Sequence, residues 1–141
     1  MTLRDRFNKA RGVLHNAVYR LLGGRVVGRL GKAPILLLTT TGRKSGVART
    51  VPLIYVPDGE RFVLVASNAG QDHHPAWLYN IQSNPEVRVE VGNRRMYAKA
   101  RVATPDERAA FWPRAVELFR GYATYEKRTS RHISLVVVEP K

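Results

Sequence analysis

Apolar side chains recur near the start of the chain at Leu3, Phe7, Leu14, Val18 and Leu21, with a gap at Ala10 and Arg11. Three-to-four spacing of this kind predicts an amphipathic helix. Gly23-Gly24 would end it, and Gly28 and Gly31 predict an irregular connector. From residue 35 the pattern changes. Two apolar runs, Ile35 to Leu38 and Val51 to Val56, flank a polar tip and predict a β-hairpin. Pro57-Asp58-Gly59-Glu60 reads as a turn, and Phe62 to Ala66 as a buried strand running into a polar loop, Ser67-Asn68-Ala69-Gly70. A helix carrying Trp77, Leu78, Asn80 and Ile81 should follow, opened by Asp72 to Pro75 with Pro75 near its first turn, and with Asn84-Pro85 as its stop. Val87, Val89 and Val91 alternate, Gly92-Asn93 turns, and Met96 to Val102 returns, which predicts a second hairpin.

Thr104-Pro105-Asp106-Glu107 has a threonine cap, a proline at the first helical position and a glutamate placed to close a capping box. The helix it opens carries Phe111, Trp112, Val116, Leu118 and Phe119, and Pro113 predicts a kink or restart within it. Tyr122 and Tyr125 are three residues apart, so both hydroxyls should face one way in a helix or tight turn. Ile133 to Val138 is a last strand. Two hairpins and a separate closing strand, without regular strand-helix alternation, predict an α+β fold in which about six mostly antiparallel strands curl into a small barrel with flanking helices. Residues 1–34 form the basic helix and connector, and 35–141 the barrel domain.

A chain of 141 residues suits a single core. The absence of cysteine excludes a disulfide framework, thiolate metal sites and a cysteine nucleophile. With neither the apolar core of a signal peptide nor a membrane-spanning run, a cytoplasmic location is expected. The net charge of +13 calls for an anionic partner. Residues 1–34 hold eight cations against one anion. A basic amphipathic helix over residues 1–22 suits peripheral contact with an acidic membrane, and equally a solvated face on the protein's own sheet.

The rest of the cationic chemistry gathers at the first hairpin tip. Gly42 and Gly46 bracket Arg43, Lys44 and Ser45, and Arg49 begins the return strand. Close-turning backbone, exposed amides and three cations are the chemistry of a phosphate or carboxylate site. A basic tip also serves simply to keep a turn soluble and blunt a sheet edge. No dinucleotide fingerprint or Walker motif is present. His73-His74 lacks the spacing of a helical metal pair, so no metal is expected, and Ser67 has no evident His-Asp partner for hydrolysis.

Leu37 to Gly46, then Arg49, Pro52-Leu53, Val65 to Gly70, Pro75 to Ile81, Asn84-Pro85, Asp106-Glu107-Arg108 and Trp112-Pro113 follow one another in the order and spacing of a known family. From about residue 35 to its end the chain resembles the deazaflavin-dependent nitroreductases of actinobacteria. The resemblance implies a split β-barrel that binds coenzyme F420 and donates hydride from its reduced form. F420 is a flavin-like ring with a phosphodiester and an oligoglutamate tail, which suits one cationic site followed by a basic track. By resemblance, Arg43, Lys44, Ser45 and Arg49 bind the phosphate. Ser67, Asn68, Ala69 and Gly70 line the ring, and Trp77 and Asn80 position the tail and loop.

The same resemblance assigns the acceptor side. Ser67, Tyr122 and Tyr125 would hydrogen-bond or protonate the developing anion, within a substrate pocket that includes Ile54 and Phe119. Ile54 and Phe119 stand where the family has tyrosines, and Asn68 where a lysine occurs, which bears on the choice of nitro compound, quinone or activated enone as acceptor. FMN is the alternative cofactor, because split barrels also hold it. A non-catalytic F420 carrier is the second reading. A nucleic-acid-binding domain is the third and is not expected, since the aromatics form no stacking ladder among the cations. A homodimer suits a small barrel with open edges.

Overall fold

The structure is a computed structural model that describes residues 29–30 and 33–141. The helix read over residues 1–22 lies outside them. Seven strands follow in order: β1 (Arg29–Leu30), β2 (Ala33–Thr41), β3 (Ala48–Asp58), β4 (Arg61–Val65), β5 (Glu86–Val91), β6 (Arg94–Val102) and β7 (Leu135–Pro140). The helices are α1 (Ala76–Ser83), α2 (Pro105–Leu118) and α3 (Gly121–Arg128). Hydrogen-bonded neighbours run β1-β2-β3-β4-β7-β6-β5, and β5 pairs back onto β2, so β2 to β7 close into a six-stranded barrel. Every pairing is antiparallel. The expected split-barrel architecture and its strand count are borne out.

Alternation along the strands separates two apolar layers. Leu36, Leu38, Leu64, Val87, Val89, Ala98, Ala100, Val136 and Val138 fill the barrel, and Trp77, Leu78 and Ile81 of α1 plug it. Outside it, Val56, Val63, Val65 and Leu135 pack under Phe111 and Ala115 of α2 and Tyr122 of α3. Strands β4 and β7 contribute to both layers, which is why their sequences are continuous apolar runs rather than alternating ones.

Two local expectations are corrected. Arg29-Leu30, within the supposed irregular connector, pairs with Pro34 and Ala33 as a two-residue strand. Pro113 does not restart the helix but lies inside a continuous α2. Pro113 and Ala109, whose carbonyl loses its partner, are both exposed, so the missing bond falls on the solvent side of the helix. Pro75, expected near the first turn of α1, is its N-cap. The polar loop expected at residues 67–70 contains a tight turn over Asn68–Gly70. The capping box does form: the Glu107 N–H donates to Thr104 Oγ1 at 3.2 Å and the Thr104 N–H to Glu107 Oε1 at 2.9 Å.

Candidate active site

The basic hairpin tip closes on itself through short backbone bonds. The Gly42 N–H donates to the Val47 carbonyl and the Gly46 N–H to the Gly42 carbonyl, both at 2.8 Å. The Val47 N–H donates to Ser45 Oγ at 3.1 Å. A Cβ on Gly42 would stand 2.7 Å from that Ser45 oxygen and 3.1 Å from the Val47 carbonyl, so a side chain there would displace the Ser45 hydroxyl and crowd the turn. Asn80 then ties the tip to α1: its Oδ1 accepts from the Arg43 N–H and its Nδ2 donates to Thr40 Oγ1, each at 3.0 Å. The Arg43 guanidinium lies over the Tyr79 ring, 4.6 Å from its centroid.

These elements wall a cleft of about 480 Å³ whose lining includes Arg43, Lys44, Ser45, Arg49, Trp77 and Asn80. Beside it lies a second cleft of about 530 Å³, lined by Leu53, Val65, Ser67, Asn68, Ala69 and His73 among others. Val51, Ala76 and Trp77 belong to both, so the two form one groove along β3 and the start of α1. One end carries three cations; the other is mostly apolar with a hydroxyl, an amide and an imidazole. Trp77 is at once a core residue of the barrel and the divider of the groove.

The turn at the apolar end has an unusual backbone. Asn68, Ala69 and Gly70 have φ of 46°, 54° and 76°, three successive residues in the left-handed region. For an alanine that conformation costs about 1–2 kcal/mol. Arg131 braces the turn: Nη1 donates to the Ala66 carbonyl (3.2 Å), Nη2 to the Ser67 carbonyl (2.6 Å) and Nε to the Gln71 carbonyl (2.9 Å). Its Nη1 also lies 3.2 Å from His74 Nδ1, which must accept because a guanidinium only donates. Burial first, then the Arg131 and His132 charges, hold His74 below the usual histidine range and keep it neutral. Asn68 Nδ2 reaches His73 Nδ1 and the His73 carbonyl at 3.1 Å.

Gly70 lines neither cleft. A Cβ there would stand 3.0 Å from Tyr125 Cα and 3.1 Å from the Tyr125 carbonyl, so its bareness lets α3 pack on the turn. Ile54, Phe119, Tyr122 and Tyr125 also lie outside the groove lining and pack together in the outer apolar layer behind it. Phe119 meets Tyr122 edge-on with ring centroids 5.0 Å apart, and Tyr122 and Tyr125 are 6.4 Å apart. Tyr122 is 5% exposed, and burial, followed by the nearby Tyr125, pushes its phenol well above the usual range. It therefore stays protonated, with its O–H hydrogen in place, at working pH.

Sequence reasoning missed Arg131, Thr40 and Tyr79. Their partners lie 64, 40 and 36 positions away for Ser67, Asn80 and Arg43 respectively, and no local period marks such pairs.

An antiparallel barrel with a groove that is cationic at one end and largely apolar at the other defines a split-barrel protein with room for an elongated anionic ligand. A family model described as F420H(2)-dependent quinone reductase matches residues 12–140. The chain belongs to that family. It is 39% identical to an F420H(2)-dependent quinone reductase of Mycobacterium tuberculosis over 129 residues, covering 89% of this chain and 87% of the relative. Among solved structures, an F420-H2 dependent reductase (FDR-A) is 41% identical with a TM-score of 0.70, covering 75% of this chain and 94% of that one. A chain described as a domain-swapped dimer is 36% identical with a TM-score of 0.72, covering 91% and 98%. The protein is accordingly an F420H2-dependent oxidoreductase, and coenzyme F420 is its cofactor.

Proposed function

We propose that the protein passes hydride from reduced F420 to a quinone-type acceptor, with the phosphodiester of the cofactor on Arg43, Lys44 and Arg49 and its ring in the apolar half of the groove. The observation that carries this reading is the shared wall of the two clefts: Val51, Ala76 and Trp77 join a cationic chamber to an apolar one, matching a cofactor that is anionic at one end and a flat ring at the other. Bound there, the reduced cofactor supplies the hydride, and one proton completes the hydroquinone. The protein's own residues bind, orient and shield. Asn80 and Ser45 shape the anion end. Ser67, Asn68, Ala69 and Trp77 flank the ring, and Gly70 keeps the turn against α3. Tyr122 and Tyr125 pack with Ile54 and Phe119 in the aromatic layer behind that turn, and a hydroxyl donor to the acceptor would come from that layer.

The quinone reading is supported by the family description and by the related F420H(2)-dependent quinone reductase. Nitro compounds and activated enones are the competing acceptors. A homodimer is supported by the related chain described as a domain-swapped dimer. Among the described residues no helix is long and apolar enough to cross a membrane, and whether residues 1–22 touch one is open to a vesicle-binding assay.

The test is a fluorescence titration with F420, FMN and the deazaflavin riboside that lacks the phosphodiester, on wild type and Arg43→Ala. Selective binding of F420, weakened about 10-fold or more in the variant while riboside binding is unchanged, is expected from loss of a charge-assisted contact. Turnover of reduced F420 with a soluble quinone, a nitroaromatic and an enone then ranks the acceptors. Tight binding without turnover on any of them would favour the carrier reading.

A further inference from the structure

We propose that Arg131 is the positioning residue of this site, its guanidinium holding the left-handed turn Asn68–Gly70 in the shape that lines the ring end of the groove. The inference rests on the reading of the groove given above. It stands on where the three carbonyls fall along the chain. Ala66 and Ser67 precede the turn and Gln71 follows it, so a single planar cation pins both ends of the same short loop. Three successive residues of positive φ are disfavoured for any sequence with side chains, and such a conformation persists only where its surroundings over-determine it. Glycine relieves the strain at position 70 alone.

The brace is itself anchored. The Arg131 N–H donates to Thr129 Oγ1 at 3.2 Å, fixing the segment between α3 and β7 from which the side chain reaches. His74, held neutral, accepts from the same guanidinium and links the brace to the segment that enters α1. Arg131 is half-buried and lines neither cleft, so it acts on the cofactor only through the turn. A lysine would keep the charge but has no planar fork, and could not reach carbonyls on both sides of the loop at once.

The experiment compares wild type, Arg131→Lys and Arg131→Ala by amide hydrogen exchange of the ligand-free protein and by affinity for the deazaflavin riboside. Exchange about 10-fold faster at residues 68–71 in both variants, with the barrel strands unchanged, is expected, together with riboside affinity about 10-fold weaker. Added guanidinium ion should restore part of the loss in Arg131→Ala and none in Arg131→Lys. Unchanged exchange and unchanged affinity would overturn the proposal. So would a rise in exchange spread equally over the barrel, which would make Arg131 a general stabiliser; if the alanine variant does not fold, the lysine variant decides. Exchange needs no cofactor, so a wild type that binds neither riboside nor F420 would sink the reading of the groove while leaving the result on the turn intact.

Discussion

Asn80 and Arg43, 37 positions apart, are joined by a 3.0 Å hydrogen bond from the Arg43 N–H to the Asn80 side-chain oxygen. The same amide donates to the Thr40 hydroxyl, so one buried side chain fixes both the tip of the first hairpin and the strand that leads to it. Its neighbour Tyr79 supports the Arg43 guanidinium. Helix α1 thus braces the cationic end of the groove as well as plugging the barrel.

Replacing Asn80 with alanine should strand the Arg43 N–H and the buried Thr40 hydroxyl, a cost of about 1–3 kcal/mol. A lower denaturation midpoint is expected, together with weaker F420 binding, because the cations would no longer be held in place. If the midpoint falls while F420 affinity stays at the wild-type level, Asn80 is a fold residue and no more.

Much of the barrel was legible because its alternation has one cause, burial of one strand face, and because β4 and β7 are apolar on both faces. The capping box at Thr104 and Glu107 was legible for a similar reason: its two hydrogen bonds span three residues. Contacts across many residues were not. Nothing local to Arg131 says that its acceptors lie before β5, and nothing in Asn68-Ala69 announces a left-handed backbone, which asparagine tolerates and alanine resists. Trp77, expected by resemblance to position the cofactor tail, is both a core residue and part of the groove lining, because a helix that plugs a barrel end also forms the rim of the groove there.

The turn offers a pair of substitutions with opposite signs. Gly70→Ala places a methyl 3.0 Å from Tyr125 Cα at a φ of 76°, so a loss of at least about 1–3 kcal/mol is expected. Ala69 is exposed with a φ of 54°, and Ala69→Gly relieves its strain at a smaller entropic cost, for a gain of up to about 1 kcal/mol. Denaturant midpoints of the two variants check this directly. A stabilised Gly70→Ala would contradict the left-handed turn.

Glu107 makes stability depend on acid. Its hydrogen bonds from Arg101, followed by that from the Thr104 N–H, lower its carboxyl from 4.5 to about 2. A depressed folded value means that the contribution is present above the unfolded value and is lost as pH falls from about 4.5 toward about 2. Glu107→Gln should therefore lower Tm at neutral pH, through loss of the ion pair and part of the cap, and the gap to wild type should close near pH 2. Thermal melts of both proteins across the acid range test it, and a gap independent of pH would show that packing, not charge, is what glutamate supplies.

Tyr122 and Tyr125 are three residues apart on α3, yet they differ in surroundings, and their substitutions should separate fold from chemistry. Tyr122 is buried among Phe119, Trp112 and Tyr125, whereas Tyr125 is half-buried where α3 meets the turn. A proton donor to the acceptor must be reachable from the surface, and Tyr125, half-buried where Tyr122 is 5% exposed, is the better placed of the two. Tyr125→Phe should lower kcat with a quinone by about 10²-fold or more, the scale of a lost acid-base group, with F420 affinity and Tm near wild type. Tyr122→Phe keeps the ring that packs against Phe119 and should leave kcat within a few-fold. Because burial pushes the Tyr122 phenol up, no ionisation of that residue should appear in the pH profile of wild type below the ordinary tyrosine range. The reverse pattern, a catalytic loss confined to Tyr122→Phe, would move the donor into the apolar layer and require α3 to shift when acceptor binds.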